Sequence, residues 1–170
     1  MQHLETVTVG SGGAASITFS SIPDTYTDLL IVVSIRSTTA GNFSVEIRPN
    51  SSTSNLSARG LQGSGSAASS FSVSNVPALA TSSANTANTF SNGSFYIPNY
   101  ASSTSKSISI DSVSENNATE AFQRIVAGLW ADNTPISSIQ LAPAGGNFAE
   151  HSTASLYGIT AGSDGIVTVS

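Results

Sequence analysis

The segment Phe122-Gln-Arg-Ile-Val-Ala-Gly-Leu-Trp130 has the two-residue period of a β-strand. Successive side chains of a strand point to opposite faces. One face would then hold Phe122, Arg124, Val126, Gly128 and Trp130, and the other Gln123, Ile125, Ala127 and Leu129. A helix over 118–131 is the rival interpretation, but the apolar spacing fits a period of 3.6 less well and Gly128 interrupts it. The segment therefore predicts a long strand.

The same period governs the first third of the chain. Residues 7–9 and 15–19 alternate on either side of the turn sequence Gly10-Ser-Gly-Gly13, which predicts a hairpin. Residues 29–35 begin apolar on both faces, which predicts a central strand covered on both sides. Residues 43–47 alternate, which predicts a strand with one buried face. We expect these last two strands to pair with each other across the intervening turn.

The middle of the chain carries weaker signals between long polar loops. Short strands are predicted near 56–61 and 71–73, and residues 78–87 could hold a helical turn. Together the alternating segments predict about nine to eleven short strands separated by turns. This spacing indicates an all-β sandwich or barrel, and we expect an antiparallel, jelly-roll-like β-sandwich.

The expected domain organisation is simple. Residues 1–159 are predicted to form a single β-sandwich domain, which suits a chain of 170 residues. Residues 160–170 form a C-terminal extension in which 166–169 alternate again, so this extension could be an arm that pairs with a neighbouring subunit. No secretory leader and no apolar run of about 20 residues is visible in the sequence.

The composition excludes several functions. The chain has 34 serines and 17 threonines but only 9% charged residues, with a net charge of −5. A basic platform for nucleic acid and a polybasic membrane patch are therefore excluded, and we expect neither partner. The absence of cysteine excludes disulfides, thiolate metal sites and cysteine nucleophiles. A surface of short hydroxylated side chains, which lose little entropy when immobilised, suits large and permanent contacts.

The ionisable residues do not form a recognisable catalytic set. A serine–histidine–aspartate arrangement at His151 stays open, but a solvated loop histidine is the simpler interpretation, and His3 lies beside the N-terminus. Asp24 and Asp28 could form a glycosidase pair, although turn chemistry explains them equally well. Two histidines are too few for a zinc site. We therefore predict no catalytic residue, no metal site and no cofactor.

The aromatic residues offer one further kind of site. Trp130 and the four tyrosines could form a platform on which a sugar stacks, but aromatic residues on strands more often belong to the core. Tyr26 and Tyr100 lie in loop-like sequence. They are therefore the better candidates for an exposed contact with a glycan.

Four segments in order resemble the small β-rich virion proteins of tailed bacteriophages, over most of the chain from about Val7 to Ile159. Each of the four is a weak motif alone, and their order makes them specific. They are Ser20-Ser-Ile-Pro-Asp-Thr-Tyr-Thr-Asp-Leu29; Phe95-Tyr-Ile-Pro-Asn-Tyr-Ala101 with Lys106-Ser107; Ala127-Gly-Leu-Trp130 with Ile136-Ser-Ser-Ile-Gln-Leu141; and Gly146-Asn-Phe148 with Ser152-Thr-Ala-Ser-Leu-Tyr-Gly-Ile159.

The resemblance implies a non-enzymatic structural component of the virion. Within that group the first expectation is a capsid decoration (cement) protein, synthesised in the host cytoplasm and bound to the outer surface of the head, because the chain is short and shows no repetitive fibre shaft. Its partners would be the major capsid protein and two further copies of itself in a homotrimer. The expected contacts are the loops of residues 49–87, the N-terminal hairpin and the C-terminal extension. The alternative is a tail-fibre or adhesin module that recognises a host surface glycan through Tyr26, Tyr100 or the middle loops.

Overall fold

The chain folds into two antiparallel β-sheets in a computed structural model that describes residues 1–41, 44–115 and 121–160. The described residues contain twelve strands and no helix, which confirms the all-β prediction and exceeds the expected strand number by one. In chain order the strands are β1 (Gln2–Thr8), β2 (Ile17–Phe19), β3 (Asp28–Ile35), β4 (Ser44–Pro49), β5 (Leu56–Gly63), β6 (Ala68–Val73), β7 (Pro77–Leu79), β8 (Ser91–Pro98), β9 (Lys106–Glu115), β10 (Ala121–Trp130), β11 (Ile139–Pro143) and β12 (Thr153–Ile159).

The two sheets form a sandwich of unequal layers. The large sheet has eight strands in the order β1-β12-β3-β8-β9-β10-β5-β6, and the small sheet has four in the order β2-β11-β4-β7. Most neighbours in both sheets are distant in sequence, because the chain crosses repeatedly between the layers. This arrangement is consistent with the predicted jelly-roll-like sandwich, and the weak signals near 56–61 and 71–73 correspond to β5 and β6.

The core lies between the layers and is built by strict alternation. In β9 every second residue, from Lys106 to Ser114, is buried and the residues between them are exposed. In β10 the predicted division into two faces is confirmed: Val126, Gly128 and Trp130 are buried and face the core, whereas Ile125, Ala127 and Leu129 are exposed. The largest fully buried apolar side chains come from both sheets and their connections: Phe19, Phe95, Tyr100 and Phe148, with Ile17, Leu29, Ile31, Ile35, Ile47, Leu79 and Ile97. One apolar core therefore holds the two sheets together.

The predicted N-terminal hairpin is wrong. β1 pairs with β12 in the large sheet, whereas β2 pairs with β11 in the small sheet. Gly12 and Gly13 have φ angles of 94° and 77°, values that favour glycine, and they turn the chain from one layer to the other. The backbone of Val9 bonds to residues 151 and 152 instead of to β2. A glycine-rich turn can thus lead out of a sheet as well as reverse a strand.

The predicted pairing of residues 29–35 with 43–47 is also wrong. β3 lies between β12 and β8, and β4 lies between β11 and β7 in the other sheet. The connection between β3 and β4 is hydrogen-bonded to distant segments. The amide of Ser37 donates to the carbonyl of Thr81, and the amide of Thr38 donates to the carbonyl of Asn147. Strand β3 is central but covered on one face only, since Val32 is 41% exposed.

The segment 78–87 forms β7 and a series of turns, so the helical turn expected there is wrong. The guanidinium group of Arg36 holds these turns by donating to four backbone carbonyls, those of Ser83, Asn85, Thr86 and Thr89. Most of the C-terminal extension and the predicted strand position Phe43 lie outside the described residues.

Candidate interaction surface

The outer face of the large sheet has no second layer of the described residues over it. On the inner face the small sheet covers the alternating apolar residues, whereas the outward residues of β9, β10 and β5 face solvent. Serines make up much of this face, including Ser107 and Ser109 of β9. Because one face of an antiparallel sheet is commonly solvated, the apolar side chains found there are the informative feature.

Four outward apolar residues form a continuous strip over β10 and β5. Ile125 lies opposite Leu61 in the register of the two strands, and they are 58% and 63% exposed. Ala127 and Leu129 continue the row along β10, and Leu129 is 38% exposed. We call Leu61, Ile125, Ala127 and Leu129 the apolar strip. Three of these residues, Leu61, Ile125 and Ala127, line an open, mainly apolar groove of about 610 Å³ that reaches β6.

Tyr96 adds an aromatic side chain to the same face. It lies opposite Ser109, which lies opposite Ala127, so the register connects Tyr96 to the apolar strip. Its ring is 37% exposed, and its hydroxyl donates to the Asp28 carboxylate over 2.7 Å. That hydrogen bond is the main reason why the pKa of Tyr96 is raised, with burial as a smaller cause. The ring is therefore held in place at the edge of a second, smaller groove.

The four sheet edges differ in how they discourage pairing with another chain. β1 carries His3 and Glu5 with an irregular register between them, and β2 and β7 are only three residues long. β6, in contrast, has six residues, with no charge and no proline. Natural proteins protect exposed edges with charge, proline, irregularity or short length. The β6 edge lacks all four of these devices and borders the groove beside the apolar strip.

Tyr26 and Tyr100, the predicted glycan contacts, do not form an exposed pair. Tyr100 is fully buried, and its hydroxyl donates to the carbonyl of Pro23. Burial raises its pKa. Tyr26 is half-buried and packs against the backbone of Gly158, where any Cβ would overlap its ring. The expectation that loop-like sequence leaves Tyr100 exposed is wrong, because that loop folds back over the core.

The residues considered for catalysis lie in structural positions. His151 is exposed in a turn with a φ angle of 68°, as expected for a solvated loop histidine. The hydroxyl of the neighbouring Ser152 accepts from the amide of Arg36 at 3.1 Å. Asp28 is the first residue of β3 and not part of a turn; its carboxylate accepts hydrogen bonds from the Tyr96 hydroxyl and the Asn99 amide, which gives it a structural role.

Among residues 1–41, 44–115 and 121–160, no three histidine, aspartate or glutamate side chains lie close enough together to hold a metal ion. The same residues contain no helix of the length and hydrophobicity that crossing a membrane requires.

A polar cleft lies on the inner side of the large sheet, where Arg124 of β10 meets the ends of β5 and β6. The cleft has a volume of about 340 Å³. We call it the Arg124 cleft; its lining is Ser44, Gln62, Ser69, Phe71, Val73, Asn75, Pro77, Arg124 and Ala144. The alternation of the sequence puts Arg124 on the same face as Val126 and Trp130 but assigns it no role. The available signal was a charged residue on an otherwise apolar strand face.

No family model, curated protein or solved structure matches the chain.

Proposed function

We propose that the chain is a structural virion protein of a tailed bacteriophage, specifically a capsid decoration protein that binds the outside of the assembled head. The observation that carries this proposal is the apolar strip on the exposed outer face of the large sheet, where its neighbours include Ser109, Asp111 and Arg59. The resemblance of the four sequence segments to phage virion proteins supplies the biological setting. In this proposal the protein is not an enzyme and uses no cofactor.

The chemistry of the outer face suits a permanent contact with another protein. Contiguous exposed apolar side chains on a soluble domain mark interaction sites more often than scattered ones do. Ile125 and Leu61 stand on paired strands of a rigid sheet, so little conformational entropy is lost when they are covered. Serines on this face can bond to a partner without the cost of desolvating a charge, whereas Asp111 and Arg59, which lie opposite Ile125 and Ala127, would need polar partners across the contact.

The proposed partner is the major capsid protein of the same phage. A protein that binds only the assembled shell stabilises that shell by mass action. Each copy would bridge neighbouring capsid subunits, and many such contacts together would oppose the outward pressure of the packaged DNA. The mechanism is mechanical and requires only that the contact face be rigid and complementary.

We also propose that the protein assembles as a homotrimer. The β6 edge supports self-association, because its backbone can accept a strand and its side chains carry no charge. A trimer requires β6 to contact a different patch of the neighbouring subunit, because β6 paired with itself would give a twofold dimer; contacts between different patches close into rings, and a threefold ring is one such closure. The loops 49–87, expected to take part in contacts, include this edge.

The proposal is tested by binding to heads that lack this protein. The variant Ile125→Asp places a carboxylate in the apolar strip, and Thr18→Asp places the same charge on the exposed face of β2 as a matched control. We expect wild type and Thr18→Asp to co-sediment with the heads and Ile125→Asp to remain in solution. Equal co-sedimentation of all three proteins, or none by the wild type, would overturn the assignment of this face.

The second candidate function is host recognition by a tail-fibre or adhesin module. It is favoured by one observation, the Arg124 cleft, which offers polar groups beside an apolar wall. The burial of Tyr100 leaves Tyr26 alone of the two predicted contacts with a partly accessible ring. Antibody labelling of intact virions distinguishes the two functions, because an adhesin would be found at the tail in a few copies.

A further inference from the structure

We propose that the Arg124 cleft is a binding site for a carboxylated sugar, of the hexuronate class. The inference rests on the side chains of the cleft and is independent of where the protein lies on the virion. It assigns a ligand to an inner-face site that is separate from the apolar strip.

The guanidinium group of Arg124 is held in a defined orientation at the base of the cleft. Its Nε and Nη2 atoms donate to the Oε1 atom of Gln62 over 3.0 and 2.6 Å, and Nη1 donates to the Ser44 hydroxyl over 3.1 Å. The group also lies 5.1 Å from the centroid of the Phe71 ring. A guanidinium carries five N–H donors, so two remain for a ligand. The site is therefore pre-organised but not saturated.

The charge of Arg124 has no acidic partner among the residues that the structure describes. Burial lowers its pKa, which shows that the cation is partly removed from water. The nearby Glu46 is already engaged, since its two carboxylate oxygens accept from Arg48 and Asn75 over 2.9 and 2.6 Å. A half-buried cation without a counter-ion is costly, and a bound carboxylate would remove that cost.

The remaining walls indicate what the carboxylate is attached to. Phe71, Val73 and Pro77 supply an apolar wall, whereas Ser44, Ser69 and Asn75 supply hydroxyl and amide groups. A sugar acid presents the same combination, with an apolar set of C–H groups, several hydroxyls and one carboxylate. A volume of about 340 Å³ lies within the range of small-molecule sites. The geometry thus favours a single hexuronate residue over a large or purely apolar ligand.

The test is a nuclear magnetic resonance titration of the isolated full chain with D-glucuronate, D-glucose and acetate. We expect saturable shifts of cleft amides with glucuronate and weaker binding of both glucose and acetate. Arg124→Gln should weaken glucuronate binding about 10- to 100-fold, because it removes charge-assisted hydrogen bonds. Arg59→Gln, which removes an equal charge outside this cleft, should bind as the wild type does.

The variant Ala144→Trp keeps Arg124 and narrows the cleft by a substitution at an exposed position. It therefore tests whether the cleft binds glucuronate even if Arg124→Gln does not fold. Ala144→Trp should also lose binding. Absence of saturable glucuronate binding, or full binding by the variants that fold, would overturn the site. Acetate or glucose binding as tightly as glucuronate would overturn the sugar-acid assignment. None of these outcomes bears on capsid binding, so the two proposals fail separately.

Discussion

The ammonium nitrogen of Lys106 lies 5.5 Å from the centroid of the Trp130 ring, its cross-strand partner in the register of β9 and β10. Both residues are almost fully buried, with exposures of 1% and 2%. The ammonium group donates to the carbonyl of Thr134 over 2.7 Å and to that of Asp132 over 3.4 Å. The one lysine of the chain therefore fastens the loop after β10 to the end of the core.

Replacing Lys106 by methionine should destabilise the fold. Methionine fills a similar volume but donates no hydrogen bond, so the carbonyl of Thr134 loses a charge-assisted donor. We expect a loss of about 1–3 kcal/mol in the free energy of unfolding. Urea titration of the variant and the wild type measures it. Ser107→Met, at the neighbouring exposed position, is the control; equal stability of Lys106→Met and wild type would contradict the assigned role.

Glycine at position 128 is required by close packing between the sheets. A Cβ there would lie 2.5 Å from a methyl carbon of Val76 and 3.2 Å from the carbonyl oxygen of Ile108. Gly128→Ala should therefore cost about 1–3 kcal/mol through overpacking. Gly63→Ala is a matched control, because a Cβ at Gly63 meets nothing within 4 Å. Thermal unfolding of both variants checks this, and a Gly128→Ala protein as stable as the control would contradict the packing.

How much of the fold is predictable from the sequence depends on whether the interactions that determine it are local. The period of two in residues 122–130 determines which residues share a face of the strand, and the structure confirms that division. The pairing of strands is not predictable from the alternation, because β3 and β4 are adjacent in sequence yet lie in different sheets. Their separation depends on contacts with residues 81 and 147, which no local pattern reveals.

The stability of the protein should fall as the pH rises above about 10, the ordinary pKa of tyrosine. The folded-state pKa values of Tyr96 and Tyr100 are raised, by the bond to Asp28 and by burial respectively. Between the two pKa values of each tyrosine, the folded state keeps a proton that the unfolded state has released. The free energy of unfolding therefore falls as the pH rises from the unfolded-state pKa to the folded-state pKa. Lys106, whose pKa is lowered by burial, contributes in the opposite direction.

The variant Tyr96→Phe isolates the contribution of Tyr96 to the loss of stability at high pH. Phenylalanine cannot ionise, so the variant should lose less stability than the wild type between about pH 8 and about pH 11. Denaturant titrations at the two pH values give the two losses, and Lys106 contributes equally to both proteins. An identical pH dependence for variant and wild type would show that the bond to Asp28 does not hold the Tyr96 proton.

The β6 edge should control self-association. Ser70→Lys places a cation on this uncharged edge strand and should convert the expected trimer into monomers, because an incoming strand would have to desolvate the charge. Thr25→Lys adds the same charge in an exposed loop and should leave the trimer intact. Analytical ultracentrifugation measures both. A trimeric Ser70→Lys protein would exclude this edge from the contact, and a monomeric wild type would exclude the trimer.

The candidate sites were less predictable than the strands. Outward positions of β10 follow from the alternation, but their exposure depends on which face of the sheet receives the second layer. Tyr100 lies in loop-like sequence, which predicts exposure, yet the fold buries its side chain completely. Arg124 acquires its environment from Gln62 and Ser44, which lie 62 and 80 residues away along the chain. Such sites are assembled by long-range topology.

The location of the protein on the virion tests the central proposal most directly. Electron cryomicroscopy of intact particles would show the chain by its two unequal sheets. The decoration assignment predicts density on the outer surface of the head, in copies repeated over the whole shell, with the apolar strip of the large sheet against the capsid protein. Density confined to the tail, in a few copies, would contradict it.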